Sequence, residues 1–387
     1  MIKVLSFAKK NKASSFAKNN KVLLFAKKNA VMCIAALLAL ITAFIIPPDS
    51  QYAGYFDLKT LTCLFCTLAV VCALKNINFF YILAENTVKL FKNTRACVLA
   101  LIYITFIGSM VIANDMALLT FLPLGYYVLK NCSKQKYIAF CFIMQTVAAN
   151  LGGMLTPFGN PQNLYLYTKF NIPNSSFILI MLPSFLLSVT LITACCLIFV
   201  KPEPLFVADE KMHLDKKKSI IYAVLFLISV LMVFRFLPYY IGGVIILAVI
   251  LTVDRKALLQ VDYPLLLTFV FFFIFSGNVS RMSFFQNTLG VLLNKNVLLV
   301  SSLSCQFISN VPSAILLSSF TTSYPLLLIG VNIGGVGTLI SSLASLITYR
   351  ENTSRYPKDS KKYLLKYSLI SFSFLLILLI FNLIIYK

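Results

Sequence analysis

The stretch VAANLGGMLTPFGNPQNLYLY, residues 147–167, decides the fold of this chain. Apolar sequence flanks it on both sides, yet its middle holds three Gly, two Pro, three Asn and a Gln. Because Gly and Pro do not sustain a helix, backbone N–H and C=O groups lose their helical partners there. In lipid each such group costs several kcal/mol, so the backbone must be surrounded by protein or by a water-filled site. The stretch therefore predicts a helix that is interrupted inside a membrane, at a polar site.

The composition supports a membrane protein. Of the 387 residues, 59% are hydrophobic and 12% are charged, and the mean hydropathy is +0.88. An average soluble domain has about a quarter of its residues charged. Apolar runs long enough to form membrane spans recur at residues 30–46, 58–74, 177–200, 219–234, 239–253, 263–275 and 364–386. We therefore expect an all-α polytopic protein of the cell (inner, cytoplasmic) membrane.

The net charge of +22 does not indicate a nucleic-acid partner. Lys and Arg collect in a few loops between apolar runs, as membrane orientation requires, and no nucleic-acid motif accompanies them. Residues 1–29 repeat with a period of nine and carry eight Lys and no acid. The following apolar run is too long for a signal peptide and lacks a small-residue cleavage site. We expect a cytoplasmic basic tail on anionic lipid, although a merely tolerated leader fits equally well.

The cysteines and the histidine do not indicate a metal site, a cofactor or an enzyme. Ten Cys are scattered, mostly inside apolar runs, and the CxxC of Cys63 and Cys66 has no second pair. His213 is the only His and falls in a charged linker. We expect these cysteines to pack between helices. A membrane-embedded enzyme would need a nucleophile and base or a metal cluster, and the sequence contains neither pattern.

Charged loops set the predicted path of the chain, because basic loops stay on the cytoplasmic side. The basic tail places the N-terminus in the cytoplasm, and the last span leaves the C-terminus outside. Basic loops that read as cytoplasmic are 75–96, 130–136, 201–218 and 350–362; loops that read as external are 47–57, 170–176 and 278–296.

Two segments predict helical hairpins that enter the membrane and return. Residues 96–129 are apolar with IANDMA at their midpoint and basic flanks, which indicates a hairpin whose tip is near Asn114. Two complete short spans would also return the chain to the same side. Residues 297–323 repeat the pattern, with thirteen residues on either side of Asn310. Interrupted crossings follow both hairpins, at residues 137–169 and 324–349.

The two halves of the chain align with each other. IANDMALL (112–119) matches ISNVPSAILL (308–317), and ANLGGMLTPFGN (149–160) matches VNIGGVGTLISS (331–342). Each half, 30–200 and 237–387, has two spans, a hairpin, an interrupted span and a final span. Residues 201–236 join them as a cytoplasmic linker and a connecting helix, so the halves insert in opposite orientations. Inverted repeats with interrupted helices are typical of secondary transporters.

The candidate site consists of the hairpin tips and the interrupted loops. Freed carbonyl and amide oxygens suit a small hard cation, and helix N-termini suit an anion. The alternative is a pair of Gly/Pro kinks that allow close helix packing. The first half supplies Asn114, Asp115, Asn150, Gly152, Gly153, Thr156, Pro157, Gly159, Asn160 and Asn163. The second half supplies Ser309, Asn310, Asn332, Gly334, Gly335, Gly337, Thr338, Ser341 and Ser342.

Asp115 is the most informative of these residues. The other eleven acids fall in loops or at span ends, whereas Asp115 lies at a predicted tip inside the membrane. An ionisable residue at that depth predicts a functional role. The alternative is a structural cap on the second arm of the hairpin.

The four stretches ANDMALLTFLPL, ANLGGMLTPFGNPQN, SNVPSAILL and VNIGGVGTLISSLASLI resemble the ion transporter superfamily. They are most similar to its arsenite-pump and sodium–proton-antiporter permeases (the ArsB/NhaD group, citrate transporter-like), including small uncharacterised bacterial inner-membrane members. The resemblance covers residue 34 to the C-terminus. It implies an elevator-type carrier that forms a homodimer. In the dicarboxylate branch, Ser-Asn-Thr tips hold Na⁺ and a carboxylate; here the tips are Ala113-Asn114-Asp115 and Ser309-Asn310-Val311.

The resemblance therefore implies Na⁺ sites at Asn114 and Asn310, while the missing Ser and Thr residues weaken the expectation of a dicarboxylate. We expect a secondary active transporter for a small anion, an inorganic oxyanion or a carboxylate, with Na⁺ or H⁺ as the coupling ion. A Na⁺/H⁺ antiporter or an arsenite efflux permease is the alternative, since the acid at position 115 is a feature that the resemblance associates with those branches. A channel would show conductance without coupling, and the paired hairpins disfavour it.

Overall fold

The computed structural model describes Phe25 and residues 29–88, 90–205 and 215–386. The expected basic tail, apart from Phe25 and Asn29, lies outside the described residues, as does His213 in the linker.

The described residues form helices, with no strand beyond an isolated bridge between Asn93 and Pro204. In chain order the α-helices are α1 (Ala30–Ile45), α2 (Leu58–Asn76), α3 (Phe79–Val88), α4 (Thr94–Ile112), α5 (Asn114–Asn131), α6 (Ile138–Gly152), α7 (Pro161–Lys169), α8 (Asn174–Phe199), α9 (Lys216–Val233), α10 (Tyr239–Val253), α11 (Arg255–Leu259), α12 (Tyr263–Ser280), α13 (Ser283–Lys295), α14 (Val297–Ile308), α15 (Asn310–Leu317), α16 (Tyr324–Ile333), α17 (Leu343–Arg355) and α18 (Ser360–Ile385).

Several of these helices are long and apolar enough to cross a membrane. Within the described ranges there are six: Leu58–Asn76, Thr94–Ile112, Gln135–Leu155, Asn174–Phe199, Tyr263–Ser280 and Pro357–Ile385. A seventh is added if α13 and α14, between which the chain bends by 120°, count as one span. The expectation of an all-helical, multi-pass membrane protein is confirmed.

The chain forms two compact units. The first contains the described residues up to Phe56 together with Asp262–Arg281. In it α1 packs along α12, and the side chain of Asn278 donates to Thr42 Oγ1 at 3.3 Å and to the hydroxyl of Tyr52 at 2.9 Å. The Arg281 guanidinium pairs with Asp49 at 2.7 Å, which lowers the pKa of that carboxyl.

The second unit, Asp57–Val261 and Met282–Lys387, contains the candidate site. Helices α4 and α5 form the first helix pair and are joined by Ala113 alone; α14 and α15 form the second, joined by Ser309. Helices α6 and α7 are the two parts of the first interrupted helix, and α16 and α17 are the two parts of the second. A 3₁₀ turn, Gly153–Leu155, begins the first interruption.

Helix contacts in one half of the chain recur in the other half. Helix α4 packs on α6, as α14 packs on α16. The second member of each helix pair crosses to the other half, so α5 contacts α17 and α15 contacts α7. The final helices behave in the same way, because α8 contacts α16 and α18 contacts α6. Exchanged contacts of this kind are what a two-fold relation between two copies produces.

Two expected boundaries differ from the structure. The helix pairs break at Ala113 and Ser309, next to the expected tips, and Asn114 and Asn310 begin the second helices. The second arm of the second pair has 8 residues rather than thirteen, because the chain turns at Ser318, whose hydroxyl donates to Ile315 O at 2.9 Å. The predicted external loop 278–296 contains helix α13, which buries Leu293 and exposes other apolar side chains.

The predicted basic loop 75–96 also contains a helix, α3. Its Glu85 is 5% exposed, so the expectation that every acid except Asp115 falls in a loop or at a span end is wrong. Helix α3 packs against α2, α4 and α5, and this tertiary packing buries a residue type that sequence reasoning places on the surface.

Candidate functional site

The residues that join the helix pairs have unusual and matching backbone conformations. Ala113 has φ 64° and ψ 150°, and Ser309 has φ 73° and ψ 158°. Non-glycine residues rarely adopt positive φ, and such strain costs about 1–3 kcal/mol where the surroundings enforce it. In both pairs the following asparagine accepts the next backbone N–H on its side-chain oxygen, at 2.9 Å for Asn114 and 2.9 Å for Asn310.

Each interruption is tied to its own helix pair by a matching threonine bond. Thr156 Oγ1 donates to the carbonyl of Met110 at 2.7 Å, and Thr338 Oγ1 donates to the carbonyl of Gln306 at 3.0 Å. Met110 and Gln306 precede the two breaks by the same spacing, and the two threonines are aligned in the internal repeat. The interrupted loops are therefore fixed against the helix pairs by equivalent bonds.

Gln306 fixes the second interruption further. Its side-chain amide donates to Gly334 O at 2.8 Å, and its side-chain oxygen accepts from the N–H of Thr338 at 2.9 Å. Gly337 has φ +137°, and a Cβ at this position would lie 2.2 Å from the Gln306 side-chain oxygen. The loop therefore requires glycine here for both its conformation and its close approach to Gln306.

The two interrupted helices meet through side-chain amides. Asn332 on α16 donates to Asn163 Oδ1 at 2.6 Å and accepts from Asn160 Nδ2 at 3.2 Å. Asn163 in turn donates to freed backbone carbonyls of the first interruption, those of Gly153, Met154 and Thr156, at 3.1, 3.3 and 3.2 Å. One amide of the second half thus joins two amides of the first half and, through them, its unwound backbone.

Both helix pairs reach the same centre. Asn114 Nδ2 donates to Asn150 Oδ1 at 3.2 Å, and the N–H of Asn310 donates to Ser341 O at 2.9 Å. Gly335 lies between the halves, because a Cβ there would be 2.9 Å from Asn310 Nδ2 and 3.5 Å from Asn150 Oδ1. A side chain at position 335 would separate these two amides.

Four helices, α5, α7, α15 and α17, begin at this centre, at Asn114, Pro161, Asn310 and Leu343. Helix N-termini carry partial positive charge and unpaired N–H donors. The residues that meet here are amides, hydroxyls and backbone groups. Asp115, half-buried in the first turn of α5, is the acid nearest to them along the chain. The helix dipoles therefore direct partial positive charge toward this centre.

Two buried oxygens beside this centre have no hydrogen-bond partner among the described residues. They are Asn160 Oδ1 and Thr67 Oγ1, in side chains 1% and 6% exposed. Both residues line a cavity of about 10 Å³ with Ala113, Phe158 and Pro161. A cavity of this size admits a single water-sized ligand at most, and amide and hydroxyl oxygens are ligands that hard cations accept.

The structure brings together most of the predicted residues and gives others a packing role. Gly152 lets α6 pass close to α4, since a Cβ there would lie 2.2 Å from Phe106 O. Gly334 approaches Cys305 in the same way, at 2.9 Å from its sulfur. Ser342 caps α17 by accepting the N–H of Ser345 at 3.3 Å. Ser309 Oγ donates to Ser341 O at 3.4 Å and completes the second tip.

Sequence reasoning missed three buried polar contacts that hold the site. Gln145 donates to Thr105 Oγ1 at 3.0 Å and to Phe121 O at 3.2 Å, so it joins α6 to both helices of the first pair. Thr146 bonds Thr348 across the two halves at 2.7 Å. Gln145 and Gln306 were detectable, because each interrupts an apolar run with an amide that needs partners in a membrane.

Among the described residues, no group of three His, Cys, Asp or Glu side chains lies close enough to hold a metal ion. The oxygens around this centre are those of amides, hydroxyls and the backbone, with the Asp115 carboxylate next to Asn114 along the chain.

Comparison with known proteins gives the family. The family model described as Citrate transporter matches residues 22–324. The chain belongs to the citrate transporter family. The resemblance to the ion transporter superfamily is thereby confirmed. This citrate transporter family member is a membrane transporter and not an enzyme.

Curated relatives agree with the family. The Uncharacterized transporter MJ0456 of Methanocaldococcus jannaschii is 33% identical over 296 residues, 76% of this chain and 80% of that protein. The Inner membrane protein YbiR of Escherichia coli is 27% identical over 328 residues, 82% of this chain and 87% of that protein. The Silicon efflux transporter LSI3 of rice is 30% identical over 148 residues, 38% of this chain and 30% of that protein.

Proposed function

We propose that this protein is a secondary active transporter that moves a small anion, an inorganic oxyanion or a carboxylate, with Na⁺ or H⁺ as the coupling ion. The observation that supports the proposal most is the contact of Asn332 with both Asn160 and Asn163. It joins two interrupted helices at their unwound backbone, which is how binding sites of secondary transporters are built.

The halves of the chain act in this proposal as inverted repeats. The exchanged helix contacts, the matching φ values of Ala113 and Ser309, and the paired bonds of Thr156 and Thr338 support a two-fold relation. In an elevator mechanism the helix pairs and interrupted helices move together and carry the substrate across. Their mutual bonds give that group the rigidity the mechanism needs.

An anion fits the donors that converge at the centre. Helix N-termini and amide N–H groups stabilise negative charge, and they do so without the desolvation cost of a buried lysine or arginine. The coupling ion is assigned to the oxygens beside them. Asn114 and Asn310 are the proposed Na⁺ positions, and Asn160 Oδ1 is a further oxygen available to a cation.

The size of the cavity beside Asn160 implies movement on binding. A cavity of about 10 Å³ does not hold a carboxylate or an oxyanion. We therefore expect the Ala113 and Ser309 tips to separate from the interrupted loops when the substrate enters. Such gating by helix tips accompanies transport in carriers with alternating access.

The proposal is tested by uptake into proteoliposomes that contain the purified protein. Labelled citrate and phosphate are offered under an imposed Na⁺ gradient, an imposed pH gradient, both, or neither. We expect uptake of at least one anion that requires a gradient and stops when the gradient is dissipated. Absence of gradient-driven uptake, together with no shift of the melting temperature by any carboxylate or oxyanion, would refute the anion transporter.

A Na⁺/H⁺ antiporter or an arsenite efflux permease remains the alternative, because Asp115 lies in the first turn of α5 next to the Asn114–Asn150 bond. A carboxylate near Na⁺ ligands is suited to exchange between Na⁺ and a proton. In everted vesicles, an antiporter would collapse an imposed pH gradient on addition of Na⁺ or Li⁺ with no anion present. The arsenite permease would instead lower arsenite accumulation in intact cells.

We also propose the inner membrane as the location, with the N-terminus in the cytoplasm and the C-terminus outside, and a homodimer as the assembly. The clustering of basic residues in loops that alternate with loops poor in Lys and Arg supports the orientation. The dimer rests on the resemblance to elevator-type carriers.

A further inference from the structure

A second cavity lies apart from the transport site, at the ends of three helices. It has a volume of about 370 Å³ and opens where the start of α6, the end of α17 and the start of α18 meet. Pockets that hold small ligands begin at about 300 Å³. Its polar lining includes Lys136, Tyr356, Lys362 and Lys366.

The charge of this cavity is positive. Lys362 and Lys366 are one turn apart on α18, so their side chains share a face of the helix. Lys136 comes from the turn before α6 and also pairs with Glu203 at 2.6 Å. Asp359 is the acid that lines the cavity, so the three lysines outnumber it.

Buried polar groups add to the lining. Tyr363 is 2% exposed, and its hydroxyl has no hydrogen-bond partner within the described part of the chain. Asn352 is likewise 2% exposed and lines the same cavity. The lining therefore combines cationic side chains with two largely buried polar residues.

The surface next to the cavity is apolar. Leu365 and Leu369 on α18 are each 62% exposed, and they share a helix face with Lys362 and Lys366. Lysines at the end of a membrane helix with exposed leucines one turn further along match the two parts of a phospholipid, its phosphate and its acyl chains. A soluble phosphate ester would use the lysines and leave the leucines uncovered.

We propose that this cavity binds the phosphate of an anionic phospholipid headgroup, with the acyl chains along Leu365 and Leu369. The site is independent of the transport function, because none of its lining residues belongs to the cluster of Asn160, Asn163 and Asn332. Basic pockets between membrane helices on the cytoplasmic side bind such headgroups in other membrane proteins.

The test is a binding titration of the purified, full-length protein in detergent with phosphatidylglycerol, and in parallel with phosphatidylcholine. The variant K362Q/K366Q removes two lysines from the cavity. K358Q/K361Q is the matched control, because Lys358 and Lys361 belong to the same basic segment, are exposed, and do not line the cavity. Both variants change the net charge equally, so general attraction of anionic lipid to the protein is weakened equally.

We expect saturable binding of phosphatidylglycerol by the wild type, about 25-fold weaker in K362Q/K366Q and changed less than threefold in the control. A lysine near a lipid surface contributes roughly a factor of five, and two are removed. K366Q alone removes one of the two lysines, and we expect a loss of about fivefold. It is the second variant if the double variant does not fold.

Equal weakening in both double variants, or equally tight binding of phosphatidylcholine, would overturn the proposal. Glycerol 3-phosphate and inorganic phosphate are the competitors. Failure of both to displace the lipid at millimolar concentration supports the lipid source. Displacement, with the same sensitivity to K362Q/K366Q, would overturn the lipid assignment and give the site to a soluble phosphate.

Discussion

Asn332 connects the two halves of the chain through a single side chain. It lies on α16 and is 1% exposed, and both of its amide atoms are engaged by Asn160 and Asn163 of the other interrupted helix. Its amide also donates to Leu328 O at 2.8 Å, which fixes its rotamer. Only Asn and the longer Gln carry an amide, which offers an N–H donor and an oxygen acceptor on the same side chain.

The first prediction concerns Asn332→Ala. Removal of the amide leaves buried groups of Asn160 and Asn163 unpaired, which costs about 1–3 kcal/mol in stability. Because the same bonds hold the proposed site, we expect gradient-driven anion uptake to fall at least tenfold. Asn287→Ala, at an exposed position on α13, is the control and should leave both quantities unchanged. Wild-type uptake by the Asn332 variant would remove this contact from the transport site.

The second prediction concerns Asp115→Asn, which preserves size and removes the charge. We expect coupled transport to be lost while the protein remains folded in the membrane, because the proposed coupling ion needs the carboxylate. Uptake in proteoliposomes and the melting temperature measure the two effects. If the residue acts only as a helix cap, Asn replaces it in that role and uptake persists, and the coupling role is then wrong.

At the scale of the elements, the interrupted helices were the most predictable part of the fold. Gly152, Gly153 and Pro157 exclude a continuous helix, and the structure interrupts α6 at these residues. The exact break in each helix pair was not predictable. Ala113 and Ser309 adopt the positive φ, although the sequence draws attention to the asparagines that follow them. Asparagine is the residue that normally indicates such a conformation.

Helices α3 and α13 were missed for a different reason. Both are short, 10 and 13 residues, so neither is long enough to be predicted as a membrane span. They are helical because tertiary contacts with α2, α4 and α5, or with α14, stabilise them, and a pattern read along one segment does not contain those contacts. Gln145 and Gln306 show the opposite case, because an amide inside an apolar run is evident in the sequence and predicts a buried hydrogen bond.

The third prediction tests the equivalence of the interrupted helices. Thr156→Val and Thr338→Val each remove one hydrogen bond from an interruption to its helix pair, the bonds to Met110 O and Gln306 O. Thr338→Val also removes the bond that the N–H of Ser341 donates to Thr338 Oγ1 at 3.2 Å. We expect Thr156→Val to lose about 1 kcal/mol in stability, Thr338→Val about 1–2 kcal/mol, and the double variant about the sum, because the sites are separate. Chemical unfolding in detergent provides the measurement. A large loss in one variant and none in the other would contradict the equivalence.

The fourth prediction concerns the segment after α8. Glu203 accepts bonds from Lys134 at 2.7 Å and Lys136 at 2.6 Å, and these ammonium groups lower the pKa of its carboxyl from 4.5 to about 2. A lowered carboxyl pKa stabilises the fold above the unfolded value, and this contribution disappears as the pH falls from about 4.5 toward 2.

Glu203→Gln removes that contribution. We expect the variant to melt below the wild type at neutral pH, with a difference that shrinks as the pH falls through this window. The thermal midpoint against pH measures it, and Asp359→Asn, at an exposed acid with no resolved ion pair in the described structure, is the control. A difference that is independent of pH down to 2 would exclude the ion pairs as its cause.

At the scale of the whole molecule, the halves of the chain are related by exchanged contacts. Helices α5 and α15 each pack against the interrupted helix of the other half, and α2 contacts α10 while α1 contacts α12. The sequence repeat predicted two similar halves, but not which helices of one half contact the other. Which helices make contact depends on the three-dimensional arrangement. The hydrogen bond between Thr146 and Thr348 is an example, because the spacing of residues in the sequence does not predict it.

The central claim is that these halves insert in opposite orientations around one shared site. The most direct measurement is labelling of single cysteines in intact cells with a membrane-impermeant thiol reagent, in a background where the native cysteines are replaced. Ser133 follows the first helix pair, and Asn294 precedes the second. We predict that Asn294→Cys is labelled from outside and that Ser133→Cys is labelled only after the membrane is permeabilised. Labelling of both from the same side would contradict the inverted arrangement and the transport site built on it.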